Sequence, residues 1–239
     1  MTNALHNLFT SPIFFLTLTM LLYAGFEKLF IKANFNPLVN PVMLTIAFVV
    51  GFLMIFNIDY QTYFQNVGLL NFLLGPATVA LAIPLYRSYE EIKKASHVIV
   101  ITLIIGSLFA IISAVSFAYF LGGSKEVVLS FAPRSATSPI AIGISQEIGG
   151  IPSLTAALVI ITGIFCAMSS TIIFNILGIK DKRARGFATG LVGHGIGTAH
   201  KMRQSEQAGA FAGLAMALNG VATAILVPLV VPIIMKLMH

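Results

Sequence analysis

Six stretches of this sequence contain no Asp, Glu, Lys or Arg: residues 1–26, 33–58, 60–86, 95–124, 148–179 and 207–235. Each exceeds the roughly 20 residues a helix needs to cross the hydrocarbon core of a bilayer. A water-soluble domain could bury one such helix but not six. The chain is therefore expected to be an all-α polytopic membrane protein. Only 9% of its 239 residues are charged and 57% are apolar, against about 25% charged in a soluble domain. Strands of an outer-membrane barrel would alternate over about 10 residues, whereas these runs are continuous. The N-terminus lacks the positive region of a cleavable signal peptide. A lone Cys166 within an apolar run allows no intrachain disulfide.

Spans are expected at about 10–31, 39–57, 67–86, 97–121, 152–178 and 208–235, in a single membrane domain over 1–239. Two further segments, 127–150 and 187–201, are apolar but broken. Lys28, Lys32, Arg87, Lys93, Lys94, Lys180, Lys182, Arg183, Arg185, Lys201 and Arg203 fall between spans, while the loop from Asn57 to Asn66 has no Lys or Arg. Positive loops stay in the cytoplasm, so the expected location is the inner membrane with the N-terminus outside. The basic residues thus set topology, and no nucleic-acid partner is expected. If 127–150 crossed fully, the 180–185 loop would lie outside, against that rule. Six full spans with two re-entrant segments satisfy it. Eight crossings with discontinuous helices are the alternative.

Three stretches are chemically unlike the rest. Gly75 to Pro84 contains Pro76, Thr78 and Pro84. Ala132 to Gly143 contains Pro133, Arg134, Ser135, Thr137, Ser138 and Pro139. Gly190 to His200 contains Gly193, His194, Gly195 and Thr198. Proline removes a backbone donor and clashes with the preceding turn, so Pro76, Pro84, Pro133 and Pro139 are expected to break helices. Backbone groups freed in this way cannot face lipid and must line protein or a watery cavity. Half-helix ends at such breaks suit an anion. Ala77-Thr78 with Ala82-Ile83 also resembles Ala136-Thr137 with Ala141-Ile142. Each is followed by an apolar span ending in Leu-Gly, at Leu121-Gly122 and Leu177-Gly178, which suggests an internal repeat.

Arg134 has three readings: an interfacial charge that snorkels, an ion pair with Glu147, or a carboxylate ligand helped by Ser135, Thr137 and Ser138. Guanidinium suits the last because two parallel N–H donors meet two oxygens. His194 lies between glycines, where backbone approaches a ligand closely. It would bind substrate, carry a coupling proton, or simply bond a neighbouring carbonyl. His200 and Lys201 are expected at the interface. Asn71 and Asn219 are expected to bond between helices. With no metal-ligand spacing, phosphate loop or catalytic triad, no catalytic residue, metal or cofactor is expected, and the chain is not expected to be an enzyme.

At the same stretches the sequence resembles the LrgB/CidB family of antiholin-like membrane proteins. The carrying residues are Gly75-Pro76-Ala77-Thr78 through Ala82-Ile83-Pro84-Leu85-Tyr86, then Ser135-Ala136-Thr137-Ser138-Pro139-Ile140-Ala141 with Ile148-Gly149-Gly150-Ile151. Ala184-Arg185-Gly186 and Gly193-His194-Gly195-Ile196-Gly197-Thr198-Ala199 complete them. Gly75 departs from the pattern, where relatives are expected to carry an acidic or amide residue. The resemblance implies transport of small monocarboxylates such as pyruvate or glycolate, with plastid relatives associated with glycolate and glycerate. It equally implies control of murein hydrolase activity and autolysis by a regulatory subunit. It implies a small holin-like partner of the LrgA or CidA type and a fold akin to cation/proton antiporters. The expected partners are thus the bilayer, a small carboxylate and that holin-like protein, with a homo-oligomer left open. The expected substrate-binding set is Thr78, Arg134, Ser135, Thr137, Ser138, Gly193, His194, Gly195 and Thr198.

Overall fold

In an apolar solvent a backbone can satisfy its own polar groups only as a helix or a closed barrel, and the long uncharged runs here are helices. The computed structural model describes residues 11–33, 39–80 and 82–238, apart from the side chains at Asn71, Leu74, Gly75, Ala77, Thr78, Ala82, Pro84, Leu85, Leu237 and Met238. The described residues contain helices and no strand. They form two compact units, Met1–Ala82 and Ile83–His239.

The first unit holds α1 (Pro12–Lys32), α2 (Pro41–Ile55), α3 (Tyr60–Asn66) and α4 (Gly68–Ala80). Ser11, Asn40 and Asp59 cap the first three by accepting backbone N–H bonds. Fully buried Phe15 meets Tyr63 edge-on at 5.3 Å, and Thr19 hydrogen-bonds the Tyr63 hydroxyl at 3.1 Å. At 15 residues, α2 is about 22 Å long, short of a full crossing. Pro76 does not break its segment, contrary to the sequence expectation: α4 continues through it to Ala80. A proline removes one rung of the hydrogen-bond ladder, and the helix survives that loss as a kink or bend. Thr78, Pro84 and Asn71 have side chains outside the described ones.

The second unit takes in α5 (Ala82–Arg87) from Ile83 onward, then α6 (Tyr89–Lys94). Next come α7 (Ser96–Phe120), α8 (Lys125–Phe131), α9 (Ser138–Glu147), α10 (Pro152–Ile176), α11 (Lys182–Gln204) and α12 (Glu206–Met238). Among the described residues four helices, α1, α7, α10 and α12, are long and apolar enough to cross a bilayer.

The order of contacts along these helices fixes their directions. Ile99 near the start of α7 shares a core with Phe211 and Ala215 of α12. Ile111 and Val115 farther along share another with Val227 and Val231, so α7 and α12 run parallel. The short α8 and α9 form a hairpin. Ser130 on α8 and Ser145 on α9 both bond the Thr155 hydroxyl of α10, through the Ser130 carbonyl at 3.1 Å and the Ser145 hydroxyl at 2.7 Å. The Ser130 hydroxyl also accepts from the Ile151 amide at 2.7 Å. The chain between them turns at 132–137, with Pro133 in the turn and Pro139 in the first turn of α9.

α11 folds back too. Gly186 and Gly190 press against the backbone carbonyls of Ala208 and Ala212, yet Met202 also touches Gly209. In a straight helix residues 186 and 202 would be about 24 Å apart. The reversal is at His194, whose φ of 39° and ψ of −133° are not helical. Arms 182–193 and 195–204 consequently lie side by side, with Gly197 against the Thr189 carbonyl. Both broken segments therefore fold back on themselves, as the re-entrant reading requires and the eight-crossing alternative does not. One hairpin starts where α7 ends and the other where α10 ends. Because α10 runs opposite to α7, they enter from opposite ends.

The two spans that the sequence paired by their Leu-Gly ends share one local plan. α7 and α10 are each 25 residues long. Each closes on a left-handed glycine, Gly122 (φ 77°) and Gly178 (φ 67°). The same pair of capping bonds follows: Gly123 N–H to Ala118 at 3.0 Å with Gly122 N–H to Tyr119 at 2.9 Å, and Ile179 N–H to Phe174 at 2.9 Å with Gly178 N–H to Asn175 at 3.2 Å. A hairpin follows each. Residues 96–147 and 152–204 thus repeat one plan in opposite senses. Residues 136–142 form the end of a turn and the start of α9, while the sequence matches at 77–83 include residues outside the described ones.

Candidate functional site

The two hairpin tips meet inside the second unit, and one side chain joins them. Asn219 of α12 is 0% exposed. Its amide donates to the Ser135 carbonyl at the first tip and to the Leu191 carbonyl beside the second, both at 3.0 Å. Its own carbonyl accepts from the Ser107 hydroxyl of α7 at 2.7 Å. The helix breaks free backbone acceptors at depth, and this carboxamide satisfies them. The interhelical role expected of Asn219 is what it performs.

His194 is fixed by its surroundings. It is 5% exposed, and its Nε2 lies 2.9 Å from the Val159 carbonyl of α10. A carbonyl only accepts, so the proton sits on Nε2. Gly163, one turn farther along α10, makes the space: a Cβ there would lie 2.6 Å from the imidazole. Of the three readings open for His194, the structure displays the bond to a neighbouring carbonyl.

Arg134 projects from the first tip, half-buried, and its guanidinium has no hydrogen bond or ion pair among the described residues. Glu147 is exposed, and the Arg134–Glu147 pair considered from sequence does not form. The guanidinium borders a cavity of about 480 Å3 between α10 and the first arm of α11. Thr162, Cys166, Ser169, Ser170 and Thr189 supply its polar lining, and Ile161, Phe165, Ile173, Phe174, Ala188 and Val192 the apolar part. Ser170 is 5% exposed, and its Oγ is the buried side-chain oxygen or nitrogen that lacks a partner among the described residues. An unpaired buried hydroxyl costs about 1–3 kcal/mol. One cavity is therefore bordered by two residues, Arg134 and Ser170, whose polar side-chain ends have no partner among the described residues.

The other expected residues take different places. Ser135 is 2% exposed, with its carbonyl bonded to Asn219. Thr137 caps the start of α9 without a side-chain bond, and Ser138 follows half-buried. Thr198 is buried with its hydroxyl toward the Met216 sulfur at 3.9 Å. Gly193 abuts the Cys166 sulfur, and Gly195 is exposed. Of the expected set, Arg134 lines the cavity. Thr162, Ser169, Ser170 and Thr189 were not singled out from sequence. Their signal was the spacing of 162, 166, 169 and 170, which puts small polar groups on one side of an otherwise apolar helix.

Lys201, expected at the interface, has no exposed surface at all. Its ammonium donates to the Thr171 hydroxyl at 3.2 Å and the Gln204 carbonyl at 3.1 Å, and lies 5.4 Å from the centre of the Phe174 ring. In the loop before α11, Asp181 caps the helix and holds Arg183 in a two-pronged contact at 2.7 and 3.2 Å, which lowers its carboxyl to about 2.

The model of the LrgB-like family matches residues 19–233. The chain belongs to this family. It is 35% identical over 208 residues to the uncharacterized protein YwbG of Bacillus subtilis, covering 87% of this chain and 92% of that one. It is 30% identical to the antiholin-like protein LrgB of Bacillus cereus (94% and 97% covered) and 28% identical to the holin-like protein CidB of Staphylococcus epidermidis (94% and 98%). No solved structure matches the chain. For an LrgB-like chain the alignment spans nearly the whole length of each relative, so both hairpins and α12 lie within the matched region.

Proposed function

We propose that this LrgB-like protein is a carrier or facilitator of small monocarboxylates such as pyruvate or glycolate. The observation that carries the reading is a cavity bordered by both Arg134 and Ser170, whose polar side-chain ends have no partner among the described residues. A desolvated cation without a counter-ion is costly, and a carboxylate would satisfy it in two-pronged geometry while a hydroxyl takes a third bond. Two re-entrant hairpins meeting at mid-depth support the same reading, since transport sites form where helices are discontinuous. The reading places the protein in the cytoplasmic membrane with its N-terminus outside and a small holin-like protein as partner.

The second reading, an antiholin-like regulatory subunit that modulates murein hydrolase activity and autolysis, is favoured by the names of the Bacillus cereus and Staphylococcus epidermidis relatives. A pure regulator has no use for a cavity holding unpaired polar groups. The deciding experiment is uptake of labelled pyruvate and glycolate into liposomes containing the full chain, alone and with a small holin-like partner. Uptake should fall at least tenfold in Arg134→Ala, with Ser170→Ala raising KM. No flux under either condition would favour the regulator.

A further inference from the structure

Lys201 is a buried titratable group with no part in the cavity's anion chemistry. Its side chain is fully enclosed, and among the described residues no carboxylate pairs with it. The charged and titratable groups facing it are all accounted for. Cys166 of α10 donates to the Thr189 carbonyl at 3.8 Å. Arg185 of the first arm lies on the same Phe174 ring at 5.8 Å and bonds Ile179 and Asn175. On its own arm His200 bonds Gln204, and Arg203 is exposed. At the start of α12, Glu206 pairs instead with Arg87 at 2.8 Å. The ammonium is left with two neutral acceptors and a ring face.

That arrangement tolerates either protonation state. A neutral amine keeps two N–H groups and so keeps both bonds, to Thr171 and Gln204. The balance between the states is set by net charge nearby. The wall that hides Lys201 is also the wall of the Arg134 cavity: Cys166 and Phe174 line that cavity, and Phe174 carries the Lys201 ammonium on its ring. An anion in the cavity brings the missing negative charge. Thr171, Gln204 and His200 are joined to Lys201 in one hydrogen-bonded chain. It reaches the surface at Gln204, which is exposed.

We propose that Lys201 is a proton-binding site whose occupancy is linked to that of the anion, so that one proton on Nζ accompanies one carboxylate. This rests on the carrier reading above. The amine takes a proton from water when the anion binds and returns it to water when the anion leaves, with no electrons moved. By reciprocity the proton strengthens anion binding as much as the anion strengthens proton binding.

The test is accumulation of labelled pyruvate in liposomes containing the full chain, with and without an inward pH gradient of about one unit. One-to-one coupling sustains about tenfold accumulation for each unit. Wild type should reach that level. Lys201→Met and Lys201→Arg, one fixed neutral and one fixed charged, should both fall to a ratio of about one while eluting as wild type does on size exclusion. Tenfold accumulation retained in either folded variant overturns the assignment. Wild-type flux indifferent to the gradient overturns the proton site and leaves the carrier reading standing. No wild-type flux of any kind removes both.

Discussion

Replacing Asn219 by Leu keeps the branched outline of the side chain but removes the group that joins both hairpin tips. The Ser135 and Leu191 carbonyls lose their donor, and the Ser107 hydroxyl loses its acceptor. Ser107 can turn back to a carbonyl of its own helix, which leaves two buried carbonyls unsatisfied. At about 1–3 kcal/mol each, the expected loss is about 3–4 kcal/mol. For a chain of this size that corresponds to a fall in Tm on the order of 10 °C. Ser107→Ala serves as the comparison. It deletes one neutral bond, and Asn219 still accepts from Thr223 at 3.4 Å, so about 1 kcal/mol is expected. The assay is thermal unfolding in detergent, followed by far-ultraviolet circular dichroism. If Asn219→Leu costs no more than Ser107→Ala, the carbonyls at the tips do not depend on Asn219 and the account of how the breaks are satisfied is wrong.

Two further outcomes follow from the geometry. With Cys166 replaced by Ser, single cysteines at Ser124 and Gly149 should be labelled by a membrane-impermeant maleimide from one face, and cysteines at Lys182 and Ser205 from the other; Ser124 and Gly149 on different faces would contradict the first hairpin. Asp181, with its carboxyl lowered to about 2 from an ordinary value of 3.8, contributes stability that is full above about pH 4. That contribution is lost as pH falls toward 2, so the Tm difference between wild type and Asp181→Asn should be constant from pH 7 to pH 4 and shrink below; the exposed position and solvent screening keep it small.

Four of the six expected spans, α1, α7, α10 and α12, were legible because charge is absent over whole helices, and two of their ends because Leu121-Gly122 and Leu177-Gly178 carry a left-handed stop; the expected spans at 39–57 and 67–86 are instead the shorter α2 and the separate α4 and α5. The failure of helix geometry near Pro133–Pro139 and Gly193–Gly197 was also legible, since proline lacks a backbone donor and clustered glycines weaken a helix. Pro76 was not, because one missing rung does not end a helix. The cavity lining was the least accessible part. Within an apolar run, Thr162, Ser169 and Ser170 cost little on any face, and only the packing of α10 on the first arm of α11 selects the face they line. Lys201 was misplaced for a related reason. A lysine near a basic loop reads as surface until the fold shows that its arm turns back between α10 and α12.

The last helix of the chain also bears on how the membrane protein is made. The arms of the first hairpin are 7 and 10 residues long, too short to insert as spans, and the second arm pair reverses at mid-depth. The amide that satisfies both tips belongs to α12, which is synthesised after everything it stabilises. Until Asn219 arrives, the Ser135 and Leu191 carbonyls have no donor, so both hairpins must settle only after the final helix has left the ribosome. Shortening the chain before residue 219 therefore removes the closing step of assembly, even though every residue of both hairpins is still present.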